Sequence, residues 1–245
     1  MFKKILIALV VAALLAYLVY ALFFMNPDKK KDMICKEVRI EIADSLDQHF
    51  LTSNEIRNYL SQAGMLPVGK DLGTINLLDI ENKLKENRLI RQVNSYKTMD
   101  GAVQIKIVPR APLLRIFSVK GNYYIDNTGE KMPVPGNYAA YVPVASGFIE
   151  EEYAKKQLYE FALFLQQNKF WNSQIKQIYV AQNGDVELTP AVGNHQIILG
   201  KIEDYKENLE KLRLFYEKGL SKVGWNRYST INLKFRNQVV CTKRE

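Results

Sequence analysis

The sequence predicts an α+β protein: a single N-terminal transmembrane helix, a β-α-α-β-β unit, and then a mixed α/β unit with an antiparallel-rich sheet. Three observations carry that reading. An uncharged apolar run fills positions 5–25. Beyond it, short segments alternate polar and apolar residues with period 2. Between those segments, apolar residues recur at helical spacing. The 245 residues are 47% hydrophobic and 24% charged, which suits one large or two small folded domains and excludes a disordered chain. Eight Pro and 13 Gly exclude collagen-like and low-complexity classes, and two Cys cannot staple a disulfide-dense mini-domain.

Residues 1–4 read as a cytoplasmic tail, 5–25 as the transmembrane helix, 26–34 as a juxtamembrane linker, 35–112 as the first folded unit and 113–245 as the second. The 21 residues from 5 to 25, at about 1.5 Å each, span about 31 Å, close to the ~30 Å hydrocarbon core of a bilayer. A cleaved signal peptide would have a shorter apolar core and small residues at its end, whereas this run ends Phe23-Phe24-Met25. Lys3, Lys4 and the amino terminus on one side balance Lys29, Lys30 and Lys31 on the other. Orientation therefore rests on the tendency of short N-terminal tails to stay in the cytoplasm while the long remainder crosses.

In the first unit, Glu37-Val38-Arg39-Ile40-Glu41-Ile42 alternates as a half-buried strand. Thr52 and Glu55 have the spacing of a capping box, with Leu51 and Ile56 as its hydrophobic staple. The helix they start carries Ile56, Tyr59 and Leu60 and stops at Gly64; a second places Leu77, Ile80 and Leu84 on one face. Two strands around Asp100-Gly101 close the unit as a hairpin. This order, ending in Val108-Pro109-Arg110-Ala111-Pro112, resembles the POTRA module, a docking domain whose sheet edges commonly receive a partner strand.

The second unit opens with strands over 113–119 and 122–125 and a turn at Asp126-Asn127-Thr128-Gly129. A short strand over 141–147 leads to a helix over 150–168, whose first turn is crowded with Glu150, Glu151 and Glu152. A hairpin follows around Asn183-Gly184, then a strand over 196–199, a helix over 203–218, and a cleanly alternating strand from Ser229 to Val240.

Four segments of this unit resemble the FtsQ/DivIB cell-division proteins in order. Tyr124-Ile125-Asp126-Asn127-Thr128-Gly129 is similar to their apolar-Ile-Asp-x-x-Gly segment, and Val142-Pro143-Val144 with Gly147 to their Leu-Pro-x-x-x-Gly segment. Leu199-Gly200 precedes a Lys- and Leu-rich helix, as in that family. Ile231-Asn232-Leu233-Lys234-Phe235 is similar to its apolar-Asp-Leu-Arg-Tyr strand, with conservative departures at Asn232, Lys234 and Phe235. The short N-terminal tail and the Lys- and Tyr-rich second unit suggest a Bacteroidetes-type member. The resemblance implies a bitopic inner-membrane scaffold of the divisome, not an enzyme and without cofactor. Its folded units would be periplasmic, linking early components such as FtsK to FtsB and FtsL. It also implies that FtsB adds to the edge of the final strand.

Carried onto this chain, that docking strand brings in Arg227, Tyr228, Ser229, Ile231, Leu233, Lys234, Phe235, Arg236, Asn237, Gln238 and Val239. The alternation turns Ile231, Leu233, Phe235 and Val239 to the core and Asn232, Lys234, Arg236 and Gln238 outward. Five of the last twenty residues are basic and one is acidic, which suits an acidic partner segment. The other reading is that these charges only guard the edge against aggregation and that the edge is occupied within the chain itself.

No phosphate-binding glycine loop, dinucleotide fingerprint, zinc-protease motif or nucleophile elbow occurs in the sequence. His49 and His195 read as surface or turn histidines, Trp171 and Trp225 as packing residues, and Asp126 as a turn residue bonding its own backbone. Basic residues form no internal stripe, which argues against a nucleic-acid partner. Cys35 and Cys241 are the candidate disulfide pair; two units arranged end to end would keep them apart. The competing function is a POTRA-bearing envelope assembly or translocation subunit unconnected with division. Such proteins usually carry a membrane barrel of many alternating segments, and the second unit has too few strands for one.

Overall fold

The computed structural model describes residues 2–24, 33–43, 51–136 and 139–245. Helix α1 runs Phe2–Phe24, 23 residues. Its described side chains are continuous only over 9–21, and among the described residues no helix is long and apolar enough to cross a membrane. Most of the juxtamembrane linker and His49 lie outside the described residues.

The first unit is a three-stranded sheet under two helices. Strands β1 (Glu37–Ile42), β2 (Ile90–Lys97) and β3 (Ala102–Pro109) lie in the order β1-β3-β2. β1 runs parallel to β3, and β2 pairs with β3 as the expected hairpin. Helix α2 (Ser53–Gln62) starts at the expected capping box: Thr52 N donates to Glu55 Oε2 at 2.8 Å, and Glu55 N to Thr52 Oγ1 at 3.2 Å. Helix α3 (Leu77–Lys85) is capped by Asn76. Ile56, Leu60, Ile80 and Leu84 meet Val38, Val93, Ile105 and Ile107 in one buried core.

The second unit is a nine-stranded mixed sheet. Its strands are β4 (Pro112–Ser118), β5 (Gly121–Asp126), β6 (Lys131–Met132), β7 (Val144–Gly147), β8 (Ile175–Val180), β9 (Val186–Pro190), β10 (Gln196–Gly200), β11 (Tyr228–Asn232) and β12 (Val240–Lys243). Their order is β12-β11-β10-β9-β8-β7-β4-β5-β6. The expected helix over 150–168 is α4 (Glu151–Tyr153), a π-helical turn (Ala154–Leu158) and α5 (Tyr159–Gln167). Helix α6 (Lys169–Gln174), which the periodicity does not signal, starts where Asn168 Oδ1 accepts from Phe170 N and Trp171 N. The last helical stretch is longer than expected: a 3₁₀ turn (Ile202–Asp204), α7 (Tyr205–Phe215), a π-helical turn (Tyr216–Leu220) and α8 (Ser221–Val223). Phe161, Leu165, Leu209 and Leu212 pack on Ile116, Ile178, Leu188 and Ile231 to form the second core.

The two units share apolar surface. Tyr124 of β5 and Met132 of β6 are fully buried in the first unit's core, joined by half-buried Val134, Ala140 and Val142. Only Arg110 and Ala111 separate β3 from β4. Arg110 N donates to Leu89 O, and Asn127 N to Ala111 O, so this joint is tied on both sides.

Three expectations are corrected, and the candidate disulfide pair is found as two free thiols. Ser229–Val240 is not one strand: the chain leaves the sheet after Asn232 and returns at Val240 as β12. β11 is paired on both sides, parallel to β10 and antiparallel to β12. His195 is 3% exposed rather than a surface histidine. Cys35 and Cys241 are both free. Cys35 lies in the first core, while Cys241 sits on β12, seven strand spacings of about 4.8 Å from β5, where the first unit packs.

Candidate strand-addition site

A sheet edge is a row of unpaired N–H and C=O groups, so the candidate docking sites here are the strand edges. The two sheets leave four: β1, β2, β6 and β12. On β1, Arg57 Nη2 donates to Val38 O at 3.1 Å and Ser53 Oγ to Ile40 O at 3.4 Å, alternate carbonyls on the side away from β3. On β2, Glu81 Oε1 accepts from Ser95 N at 2.6 Å and from Ser95 Oγ at 2.9 Å. Thus α2 and α3, which cover one face of the first sheet, also engage two carbonyls on the β1 edge and one amide on the β2 edge. β6 has two residues, too few for a ladder. β12 is different: β11 occupies its inner side, and among the described residues nothing bonds to its outer side.

The connection between β11 and β12 is clamped. Lys211 Nζ, from α7, donates to Leu233 O at 3.0 Å and Phe235 O at 2.9 Å. Leu233 N donates to Ile198 O, and Lys234 N to Asn232 Oδ1. Lys234 Nζ lies 2.7 Å from Asp185 Oδ2, and Lys201 Nζ lies 3.5 Å from Asp185 Oδ1. Lys234 holds the Asp185 carboxyl below the usual carboxylate range against the opposing effect of burial, and Lys201 adds to this. Between α7 and the connection is a cleft of about 400 Å³ whose lining includes Lys201, Lys211, Lys234 and Arg236 on the basic side and Asp204 and Glu207 on the acidic side.

A family model described as FtsQ/DivIB, C-terminal related, matches residues 111–242, more than half of the chain. The chain belongs to the FtsQ/DivIB family. A second, POTRA-like domain, matches residues 33–108. A search of curated proteins returns no match. Membership of FtsQ/DivIB, a family of non-enzymatic division scaffolds, points to a role in cell division through protein–protein contacts.

In this FtsQ/DivIB chain the expected docking residues are scattered around the open edge rather than along it. Arg227 is exposed in the turn before β11; Tyr228, Ser229 and Ile231 are in β11. Ile231 and Leu233 are fully buried, as their alternation requires, and Val239 is half-buried against the core. Phe235 departs from that pattern: it is 45% exposed, because the chain has already left the sheet. Lys234, Arg236, Asn237 and Gln238 are exposed in the connection. The residues that form the open edge are Val240, Cys241, Thr242 and Lys243. Cys241 is half-buried between exposed Val240 and Thr242, a pattern that the sequence, with two apolar residues followed by two polar ones, does not signal. Burial raises the Cys241 thiol above its ordinary value, leaving it a poor nucleophile.

Proposed function

We propose that this chain is a bitopic inner-membrane scaffold of the divisome, anchored by α1 with its N-terminus in the cytoplasm and both folded units in the periplasm. Its β12 edge receives a strand from FtsB, and through FtsB it holds FtsL; FtsK is the candidate partner of the POTRA-like unit. The observation that carries this reading is the outer side of β12, to which nothing bonds among the described residues, whereas side chains of α2 and α3 engage backbone groups on the edges of the first sheet. Main-chain bonds would give a partner strand its register. Arg227, Arg236, Lys243 and Arg244 would draw an acidic segment toward it and speed encounter. The test is a photo-crosslinking residue at Thr242, on β12, and at Asn94, on β2, in the full chain in its own membrane. Crosslinks to FtsB from position 242 and none from 94 support the reading. Equal yields, or no division defect on depletion, overturn it.

A further inference from the structure

His195 lies in a closed aromatic pocket that ties the β9–β10 loop to β12. Its Nε2 is 2.9 Å from Tyr216 Oη, and the rings meet edge-on at 5.7 Å. Trp225 meets Tyr216 edge-on at 4.9 Å, and Trp171 lies 6.4 Å from it. Gly193, at φ +86°, leaves the ring its space; a Cβ there would stand 2.7 Å from His195 Nδ1. Nδ1 is buried with no hydrogen-bond partner, so in either tautomer one side of the ring stays unpaired.

The same loop is clasped from β12. The Arg244 guanidinium, just past the end of that strand, donates to Asn194 O, and Arg244 N donates to Arg227 O at 3.1 Å. Asn194 N donates to Asn226 Oδ1 at 3.3 Å. The titratable or charged groups facing His195 are Tyr216 from the π-helical turn and Arg244 from beyond β12; among the described residues no carboxylate bonds to it. A protonated His195 would be a buried cation beside a second cation. Burial holds the imidazole below its ordinary value, the Arg244 charge adds to this, and the Trp225 carbonyl acts the other way.

We propose that His195 is a proton-operated release for β12: protonating it expels the β9–β10 loop from its pocket, undoes the Arg244 clasp and loosens the open edge strand. As regulation of the docking site this rests on the function proposed above, but the release itself needs no partner. The closed pocket disfavours the proton, and the opened loop takes it up with an ordinary value near 6.5. Opening is therefore pH-independent above that value and grows as pH falls below it. Between pH 7.5 and 5.5 an opened state with that value gains at most about tenfold in population, the limit for a closed pocket that takes no proton.

The test is amide hydrogen exchange on the full chain in lipid nanodiscs at the two pH values, corrected for intrinsic rates. The expected result is a rise of about threefold to tenfold in opening at 240–243, absent from β4 and β5, and lost in His195→Gln. A rise below threefold, or one kept in His195→Gln, overturns the proposal. Should His195→Gln not fold, His195→Phe takes its place with the same criterion. Failure of FtsB crosslinking with the exchange result intact would count against the docking reading alone.

Discussion

Arg110 Nη1 stands 2.6 Å from Asp126 Oδ2, and the carboxylate is fully buried. Arg110 belongs to the two-residue joint between the units, and Asp126 ends β5, the strand that lends Tyr124 to the other unit's core. Asp126 Oδ1 meanwhile accepts from Thr128 N, Thr128 Oγ1 and Glu130 N. One side chain thus both builds the turn, as its sequence context implies, and holds the joint, which sequence spacing does not reveal.

Asp126→Ala leaves the guanidinium and the turn amides without their acceptor. The expected loss is about 3 kcal/mol of unfolding free energy, within the range for breaking a buried pair. Denaturant titration of residues 33–245 checks it, with Lys156→Ala, at an exposed pair, as the control within about 0.5 kcal/mol.

Acid should weaken the same contact. Burial pushes the Asp126 carboxyl up, but the Thr128 hydroxyl and amide, Arg110 and the Glu130 amide outweigh it, so the folded value lies below the ordinary 3.8. Above 3.8 the carboxylate is ionised in both states and its contribution is whole. Below 3.8 the unfolded chain takes the proton first, and the contribution fades until the folded group titrates. Melting curves of wild type and Asp126→Asn should therefore converge as pH falls from 5 to 3.

Leu233→Asp and Phe235→Asp should differ sharply. Leu233 is fully buried and Phe235 is 45% exposed. The first places an unpaired charge in the core and should cost about 3–5 kcal/mol; the second should stay within about 0.5 kcal/mol. Similar melting temperatures for the two variants would contradict the break after Asn232.

Lys211→Met keeps the length of the side chain and removes the donor to Leu233 O and Phe235 O. An ammonium–carbonyl bond contributes about 1.5–3 kcal/mol. Faster amide exchange should appear in the 233–239 connection, with the core of the first unit unchanged.

How much of this was legible depends on how local the cause is. The capping box at Thr52 and Glu55, the turn at Asp100-Gly101 and the turn at Asn183-Gly184 are each set by residues a few positions apart, and each stands where the sequence puts it. The break in the last strand is not local. Residues 230–236 alternate without interruption, yet Leu233 N is claimed by Ile198 O and the carbonyls beyond it by Lys211. Isolated pattern cannot show that competition. The same holds for His195, whose polar neighbours in sequence suggest a surface position; the residues that enclose it, Tyr216 and Trp225, come from another element.

The side chains of Arg57, Ser53 and Glu81 have a consequence for assembly. A filament of sheets needs two free templates on every molecule, one to give and one to take. With backbone groups of β1 and β2 already engaged and β6 only two residues long, β12 is the one template among the described residues that is long enough to pair and has no side chain bonded along its outer side. Growth by pairing at β12 would end after a single step, so crowding many copies at one place on a membrane would not by that route turn them into a fibre.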